Sequence, residues 1–158
     1  MSGCCSDTYS GKDLKIIAAL IDSFGVSSAA AQGVPQPMTC AAKLRASGHR
    51  IYVYSDGTRA KGFLKVGTKH LYIYDRKGQV TEMDPVCALD FYVCEDCQRQ
   101  GLGQALLSYF LEAESLEARK VAWDKPTDKS LGLLSKLHSL SSFNPQPNNF
   151  VVFDEYYD

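Results

Sequence analysis

The stretch PVCALDFYVCEDCQRQGLGQALLSYFLEAE, residues 85–114, passes from an apolar run through a short polar loop into an amphipathic run. Its first part, 85–95, is the longest near-continuous apolar run with strand propensity, and such a run predicts a central strand covered on both faces of a sheet. Leucines and aromatic residues then recur at helical spacing within 98–113. The stretch therefore predicts a strand, a glycine-containing loop and a helix.

Two glycines, Gly101 and Gly103, lie where this helix begins. The first N–H groups of a helix have no partner inside it and, with the helix dipole, attract anions. A glycine lets phosphate oxygens approach the backbone without meeting a Cβ. A Walker loop is excluded because Gln104 and Ala105 stand where Lys and Ser or Thr are needed, and Leu106 breaks the dinucleotide-binding pattern.

The rest of the chain alternates helical and extended patterns. Helical spacing predicts one helix near 12–24 and an alanine-rich helical turn near 27–33, with Gly25 and Gly33 as breaks. Further strands are predicted in RIYVYSDG, in two parts of KGFLKVGTKHLYIYDRKGQ, in KVAWD and in NNFVVFDEYYD, and a helix in DKPTDKSLGLLSKLHSL. This order predicts a mixed α/β (α+β) fold around a central sheet flanked by helices.

The bulk composition limits the classes of protein. The chain has 158 residues, of which 45% are hydrophobic and 22% charged, as in one globular domain; we expect that domain over 12–158, behind a flexible tail over 1–11. A net charge of −1 gives no reason to expect nucleic acid or an anionic membrane as partner. No secretory signal and no apolar run long enough to span a bilayer are recognised in the sequence. We therefore expect a soluble intracellular protein whose six cysteines are thiols.

The spacing of Gln98, Gly101 and Gly103 after a long strand fits the pattern Q/R-x-x-G-x-G/A. It resembles the pyrophosphate-binding loop of the GNAT superfamily of acetyl-CoA-dependent N-acetyltransferases, and the order of elements is that of the superfamily. The resemblance implies a mostly antiparallel central sheet and acetyl-CoA as cosubstrate, with no metal. A left-handed turn before a packed helix is the simpler alternative for so short a motif.

The resemblance becomes more specific further along the chain. PVCALDFYV, CQRQGLGQALLSYFL, AWDKPTDKSLGLLSKLHSL and PQPNNFVVFDEYY are together similar to the catalytic domain of the α-tubulin N-acetyltransferase family, over residues 14–157. This implies acetyl transfer to a lysine of α-tubulin in microtubules, directly within a ternary complex. It also implies a monomer in the cytoplasm, on the cytoskeleton, including the axoneme of a cilium or flagellum. Residues 1–11 do not resemble the strand-forming segment that usually begins this family's domain, so an edge strand is expected to be missing or replaced.

Three residues match catalytic positions of the family. A free lysine amine, with a pKa of about 10.4, must lose a proton before it attacks. Cys87 and Asp124 match the family's pair of residues that is thought to assist this deprotonation. Gln32 matches a glutamine near the active site, where it could only bind or position. The alternatives are a small core residue for Cys87, an N-cap before Pro126 for Asp124, and an exposed helix end for Gln32.

The resemblance also assigns binding residues. An oxyanion donor is expected in the backbone of the central strand, and the two sides of the acetyl-CoA site in the glycine loop and at the start of the last helix. The expected cofactor-binding residues are Phe91, Tyr92, Val93, Gln98, Arg99, Gln100, Gly101, Leu102, Gly103, Gln104, Thr127, Lys129, Ser130 and Lys136. Asp75 and Arg99 match positions near the substrate groove and are otherwise solvated surface charges.

Three further hypotheses stay open at this point. Cys94 and Cys97 have the spacing of a metal knuckle or redox motif, but no second Cys or His pair completes a zinc site. The chain could also acetylate another protein or a small amine. It could instead be a tubulin-binding protein whose acetyl-CoA site is structural or regulatory and catalyses little acetyl transfer.

Overall fold

A computed structural model describes residues 11–158. The tail predicted over 1–11 lies outside these residues, apart from Gly11, the first residue of α1. The helices are α1 Gly11–Gln32, α2 Ala41–Ser47, α3 Leu102–Ala113 and α4 Asp128–His138. The strands are β1 Arg50–Ser55, β2 Ala60–Thr68, β3 Leu71–Tyr74, β4 Val80–Met83, β5 Val86–Val93, β6 Val121–Asp124 and β7 Phe150–Val151.

A five-stranded sheet in the order β1-β2-β5-β6-β7 forms the centre of the domain. Its pairs are antiparallel except for β5 with β6, which run parallel. One face packs against α3 and α4 through Leu107, Phe110 and Leu134, all fully buried. The opposite face is covered by α1 and by the separate β3–β4 pair. The prediction of a mostly antiparallel sheet flanked by helices is confirmed.

Helix α1 runs through Gly25, where the sequence predicts a break between 12–24 and 27–33. A Cβ built on Gly25 would overlap the backbone carbonyl of Thr39. The glycine is therefore explained by the close approach of another segment to the helix, which local sequence does not reveal. Gly33, with φ 68°, follows the end of the helix as predicted.

Helix α1 is also long and apolar enough, by length and composition, to cross a membrane: Lys12–Gln32 has a mean hydropathy of 1.5. The expectation that no apolar run reaches this length is wrong. A helix packed on a sheet can meet the same criteria, and α1 packs in this way: the Phe24 and Phe63 ring centroids are 5.1 Å apart, and Ser28 hydrogen-bonds to the sheet residue Asp90.

Three other elements differ from the prediction. The structure has five strands before α3 where four are predicted, because the Val80–Met83 segment, exposed except for Met83, pairs with β3. Helix α2 is not predicted by the sequence; it has seven residues and no side-chain cap. The last strand has only two residues before Asp154–Tyr157 form a 3₁₀ turn.

Strands β5 and β6 pair over only three residues, ending with Ala88 opposite Trp123. In the same place β5 carries a bulge: Lys65 of β2 faces Asp90 and Val66 faces Ala88, so Leu89 is the extra residue. Bulges bend a strand and redirect its side chains. Beyond Ala88 the two parallel strands separate, and a cleft opens between their carboxyl ends.

Candidate active site

The loop before α3 has the conformation that its glycine predicts. Arg99 and Gly101 have φ values of 65° and 78°, and Gly101 is the N-cap residue of α3 without any side-chain cap. A Cβ on Gly101 would meet open space, so the left-handed backbone is what requires glycine there. A Cβ on Gly103 would make ordinary contacts with Phe91 and Leu133. The uncapped N–H groups at the start of α3 are suited to an anion.

Gln98 connects this loop to both neighbouring elements. Its Nε2 donates to the Val93 carbonyl over 3.0 Å, and its Oε1 accepts from Lys129 Nζ over 2.6 Å. Gln98 and Lys129, which are both predicted to bind the cofactor, thus form a hydrogen bond with each other. They hold the loop between the end of β5 and the start of α4.

Helix α4 begins beside α3 with a side-chain cap. Thr127 is its N-cap, with Oγ1 accepting from the Ser130 N–H over 3.2 Å and lying 3.0 Å from the Ser130 hydroxyl. The alternative that Asp124 caps this helix is wrong. Lys136 lies in the last turn, about 13 Å along the axis from Thr127 at 1.5 Å per residue. Lys136 is exposed. Its predicted role in binding acetyl-CoA, at a part of the cofactor distant from Thr127, stays a prediction.

A small cleft occupies the place where β5 and β6 separate. It brings together side chains from α1, both strands and the start of α4. The lining residues that the sequence also selects are Gln32, Phe91, Asp124, Thr127 and Ser130. Among the other predicted residues, Leu102 is buried, while Gln100 and Gln104 are exposed. The Tyr92 ring packs 6.5 Å from Phe24 on the opposite face.

Asp124 ends β6 at the wall shared by this small cleft and a larger one of about 510 Å³. Its carboxylate is half-buried, and burial raises its pKa above the usual carboxyl range, against the opposing effect of Lys125, Lys69 and Lys65. Within residues 11–158, no hydrogen bond to this carboxylate is found. It is therefore available to a ligand that enters from either side.

The larger cleft lies on the α1–α2 side of the sheet and is lined by several basic side chains. Lys43, Lys65, Lys69 and His49 contribute to its walls together with Asp124. Burial lowers the pKa of Lys65, whose Nζ donates to the Met38 carbonyl over 2.7 Å. Burial and the neighbouring lysines also lower the pKa of His49. Asp124 is the acidic residue among its lining side chains, so an amine that enters here meets a carboxylate.

Asp90 is a site residue that the sequence analysis missed. Its carboxylate is 4% exposed and accepts from Ser28 Oγ over 2.7 Å, Gln32 Nε2 over 3.1 Å and Thr39 Oγ1 over 2.6 Å. This network attaches α1 and the segment after it to β5, directly behind the cleft. The available signal was a single charge in an apolar run, matched by Lys65 on the neighbouring strand. Gln32 is held by Asp90 and does not form an exposed helix end.

Cys87 lies in the interior, away from both clefts. It is fully buried among Leu71, Ile73 and Leu89, and its thiol donates to the Pro85 carbonyl over 3.4 Å. Burial raises the pKa of this thiol to about 12. The packing role that the sequence allows accounts for the residue, and its catalytic role stays a prediction.

The predicted substrate residue Asp75 lies on a different part of the surface. Its carboxylate accepts from the N–H groups of Lys77 and Gln79 over 2.8 and 2.9 Å, within the β3–β4 turn. It lines a third cleft, beside Asn144 and the C-terminal segment. Arg99 is exposed in the glycine loop. The structure does not bring these two residues together, so their substrate roles stay predictions.

Cys94 and Cys97 form a 3₁₀ turn just before the loop, with the Cys97 N–H donating to the Cys94 carbonyl over 2.9 Å. Asp96, between them, forms a two-pronged ion pair with Arg59. Across residues 12–158, no group of three or more His, Cys, Asp or Glu side chains could hold a metal ion.

Two distant sequence blocks meet beside Asp124. Asp124 pairs with Phe150 across β6 and β7, and the Lys125 N–H donates to the Asn149 carbonyl over 3.2 Å. Lys125 and Asn149 both adopt left-handed backbone, with φ values of 42° and 62°. The AWDKP and NNFVVF blocks thus form one corner of the site.

With this geometry established, comparison with protein families places the chain. A family model described as GNAT acetyltransferase, Mec-17, matches residues 7–158. The chain belongs to this family.

Curated relatives agree with this assignment. The chain is 40% identical over 141 residues to the alpha-tubulin N-acetyltransferase of Tetrahymena thermophila, covering 89% of this chain and 35% of the relative. It is 42% identical over 143 residues to alpha-tubulin N-acetyltransferase 1 of Danio rerio, covering 87% and 48%. With the Leishmania infantum alpha-tubulin N-acetyltransferase it shares 43% identity over 141 residues, covering 87% and 57%. The chain thus spans about a third to somewhat over half of the length of these relatives.

Solved structures show the same fold at much lower identity. A mutant of the toxin AtaT, bound to the C-terminus of the antitoxin AtaR and acetyl-CoA, superposes with a TM-score of 0.52 at 14% identity over 70% of each chain. A mutant of KacT gives 0.51 at 13% identity, over 70% of this chain and 73% of that one. At this identity the likeness concerns the fold alone.

Proposed function

We propose that this protein is an acetyl-CoA-dependent lysine N-acetyltransferase that acts on α-tubulin in microtubules. The observation that carries the proposal is the 40–43% identity with three α-tubulin N-acetyltransferases over 87–89% of this chain. The family match over residues 7–158 includes both clefts and Asp124. The unit of activity is a single domain over 12–158.

Acetyl-CoA supplies an acetyl group activated as a thioester, and the residues at the two helix starts fit such a ligand. The α3 start is uncapped and opens from glycine backbone, which suits pyrophosphate oxygens. Gln98 holds that loop, and Lys129 adds a cation beside it. The capped start of α4, at Thr127 and Ser130, forms the other side of the site.

Asp124 is the residue that we assign to the amine. A carboxylate with a raised pKa, to which no side chain or backbone group of residues 11–158 donates, can orient the incoming lysine and accept its proton directly or through water. Its place at the wall between the two clefts supports transfer from one side of the sheet to the other within a ternary complex. Since Cys87 is buried and its thiol is held neutral, we assign no acetyl-enzyme to it.

The backbone of β5 provides the polar groups for the developing oxyanion. Beyond Ala88 the edge of β5 that faces β6 has no strand partner within the described chain. N–H groups on this edge, towards Phe91, Tyr92 and Val93, can therefore donate to a ligand in the cleft.

Partners and location follow from the same proposal. The protein would act as a monomer on microtubules, in the cytoplasm and on the cytoskeleton, including the axoneme of a cilium or flagellum. Acetyl-CoA would be the cosubstrate and no metal would take part. Neither nucleic acid nor membrane is proposed as a partner.

A mass-spectrometric assay of polymerised tubulin with acetyl-CoA tests the proposal. We expect acetylation of one α-tubulin lysine, with free histone peptides and polyamines as comparison amines. Acetylation of those amines with α-tubulin left unmodified would refute the substrate. Acetyl-CoA binding by calorimetry without turnover on any amine would support the tubulin-binding alternative instead.

A further inference from the structure

The cleft between β5 and β6 has one wall that the proposed mechanism does not use, the indole ring of Trp123. Trp123 is 2% exposed, and its Nε1 is one of two buried side-chain polar atoms in residues 12–158 without a hydrogen-bond partner. The ring lies edge-on to Phe91, with centroids 6.3 Å apart, and both rings line the cleft. An unpaired buried donor is rare and costly, and this one belongs to a ring that lines the cleft.

Most polar side chains that line the cleft are engaged with one another, and the free carboxylate of Asp124 makes no hydrogen bond to Trp123 Nε1. The Asp90 carboxylate accepts from Ser28, Gln32 and Thr39. The hydroxyls of Thr127 and Ser130 face each other over 3.0 Å. Since an indole N–H can only donate, the missing partner is an acceptor that arrives with a ligand.

We propose that Trp123 Nε1 donates a hydrogen bond to a carbonyl oxygen of the acyl-pantetheine arm of acetyl-CoA. This inference rests on the proposed function, which makes acetyl-CoA the ligand of the cleft. The arm carries a thioester carbonyl and two amide carbonyls, each of which can accept a hydrogen bond from a neutral N–H donor. Trp123 thereby becomes a binding residue of the β6 wall, opposite the backbone N–H groups of β5.

The protein itself supplies the probe, because Trp123 is the only tryptophan of the 158 residues. In the ¹⁵N-labelled full chain, one indole N–H resonance is expected. We expect it to move downfield when acetyl-CoA is added, as a new hydrogen bond forms. If calorimetry shows binding while the indole resonance stays in place or moves upfield, the proposal is overturned.

A substitution gives the second measurement. Trp123→Phe keeps an aromatic wall and removes the donor, and we expect acetyl-CoA to bind about 3- to 10-fold more weakly. Circular dichroism and thermal unfolding of the ligand-free variant check that it folds. Phe110→Leu, a ring loss in the same core at a fully buried position, is the matched control and should leave the dissociation constant unchanged.

Free CoA, which lacks the thioester carbonyl, locates the acceptor. An equal loss for CoA and acetyl-CoA supports an amide carbonyl, and a loss confined to acetyl-CoA supports the thioester carbonyl. Unchanged affinity of Trp123→Phe for both ligands overturns the inference while the proposed function stands. If the wild-type protein binds neither ligand, the proposed function fails together with the inference.

Discussion

Two carboxylates border the cleft between β5 and β6, and their surroundings are opposite. Asp90 is almost fully buried and accepts hydrogen bonds from three side chains of α1 and the segment after it. Asp124 is half-buried, and no hydrogen bond from residues 11–158 reaches it. The first carboxylate is committed to holding the fold, and the second is left for a ligand. The same chemical change should therefore damage different properties at the two positions.

The largest effect is expected from Asp124→Asn. We expect kcat on polymerised tubulin to fall by about 10²- to 10⁴-fold, because the amine loses its proton acceptor. The free energy of unfolding at pH 7 should stay equal or rise, because a carboxylate whose pKa is raised by burial costs stability while it is charged. Steady-state kinetics and urea denaturation measure the two quantities. Wild-type kcat in this variant would remove Asp124 from the mechanism.

Asp90→Asn is the matched substitution on the neighbouring strand. We expect the free energy of unfolding to fall by about 2–3 kcal/mol, because an amide cannot accept from all three donors. Urea denaturation measures it, and Asp96→Asn, at an exposed ion pair, is a control that should change little. A stable Asp90→Asn protein with lost activity would reverse the roles that we assign to the two carboxylates.

The pH dependence of kcat should follow the free carboxylate. Because burial raises the pKa of Asp124, the base form is lost as pH falls through that raised value. An exposed aspartate has a pKa of about 3.9, and the acidic limb of kcat should lie at a higher pH than this. Below the limb, kcat should fall about tenfold per pH unit. The limb should vanish in Asp124→Asn. A limb that persists unchanged in Asp124→Asn would assign the titration to another group.

The smallest effects are expected at Gly101 and Gly103, a second pair of like residues in unlike surroundings. Gly101 has the left-handed backbone and Gly103 does not, so Gly101→Val should strain the loop while Gly103→Ala should fold normally. Gly101→Asn separates strain from obstruction, since Asn tolerates this conformation. We expect calorimetry to show acetyl-CoA binding weakened several-fold in Gly101→Asn and most in Gly101→Val. Unchanged binding in both variants would show that Gly101 serves the turn alone.

The local parts of the site were predictable from the sequence. The strand, the glycine loop and α3 each have a pattern within a few residues, as do the Thr127 region and the end of β6. Their contacts also connect neighbouring segments, as between Gln98 and Val93. The resemblance to a family added Asp124 and Gln32, which no local pattern would select.

Long-range contacts account for what was missed. Asp90 is separated by 62 residues from Ser28, so the sequence shows only an unexplained charge in a strand. The burial of Cys87 depends on the β3–β4 pair folding beneath the sheet, and β4 itself has no apolar pattern of its own. Helix α2 is too short to show a period. In each case the deciding partner lies on another element.

The glycine inside α1 has a consequence for protein engineering. Replacing a helix-interior glycine by alanine is a standard route to thermostable variants and often gains about 0.4–1 kcal/mol. At Gly25 the added methyl group would collide with the Thr39 carbonyl, and Thr39 is one of the three donors to Asp90. A library designed by helix propensity would rank this position among its first choices. Here that substitution would push the Thr39 segment away from the sheet and disturb the back of the cleft between β5 and β6.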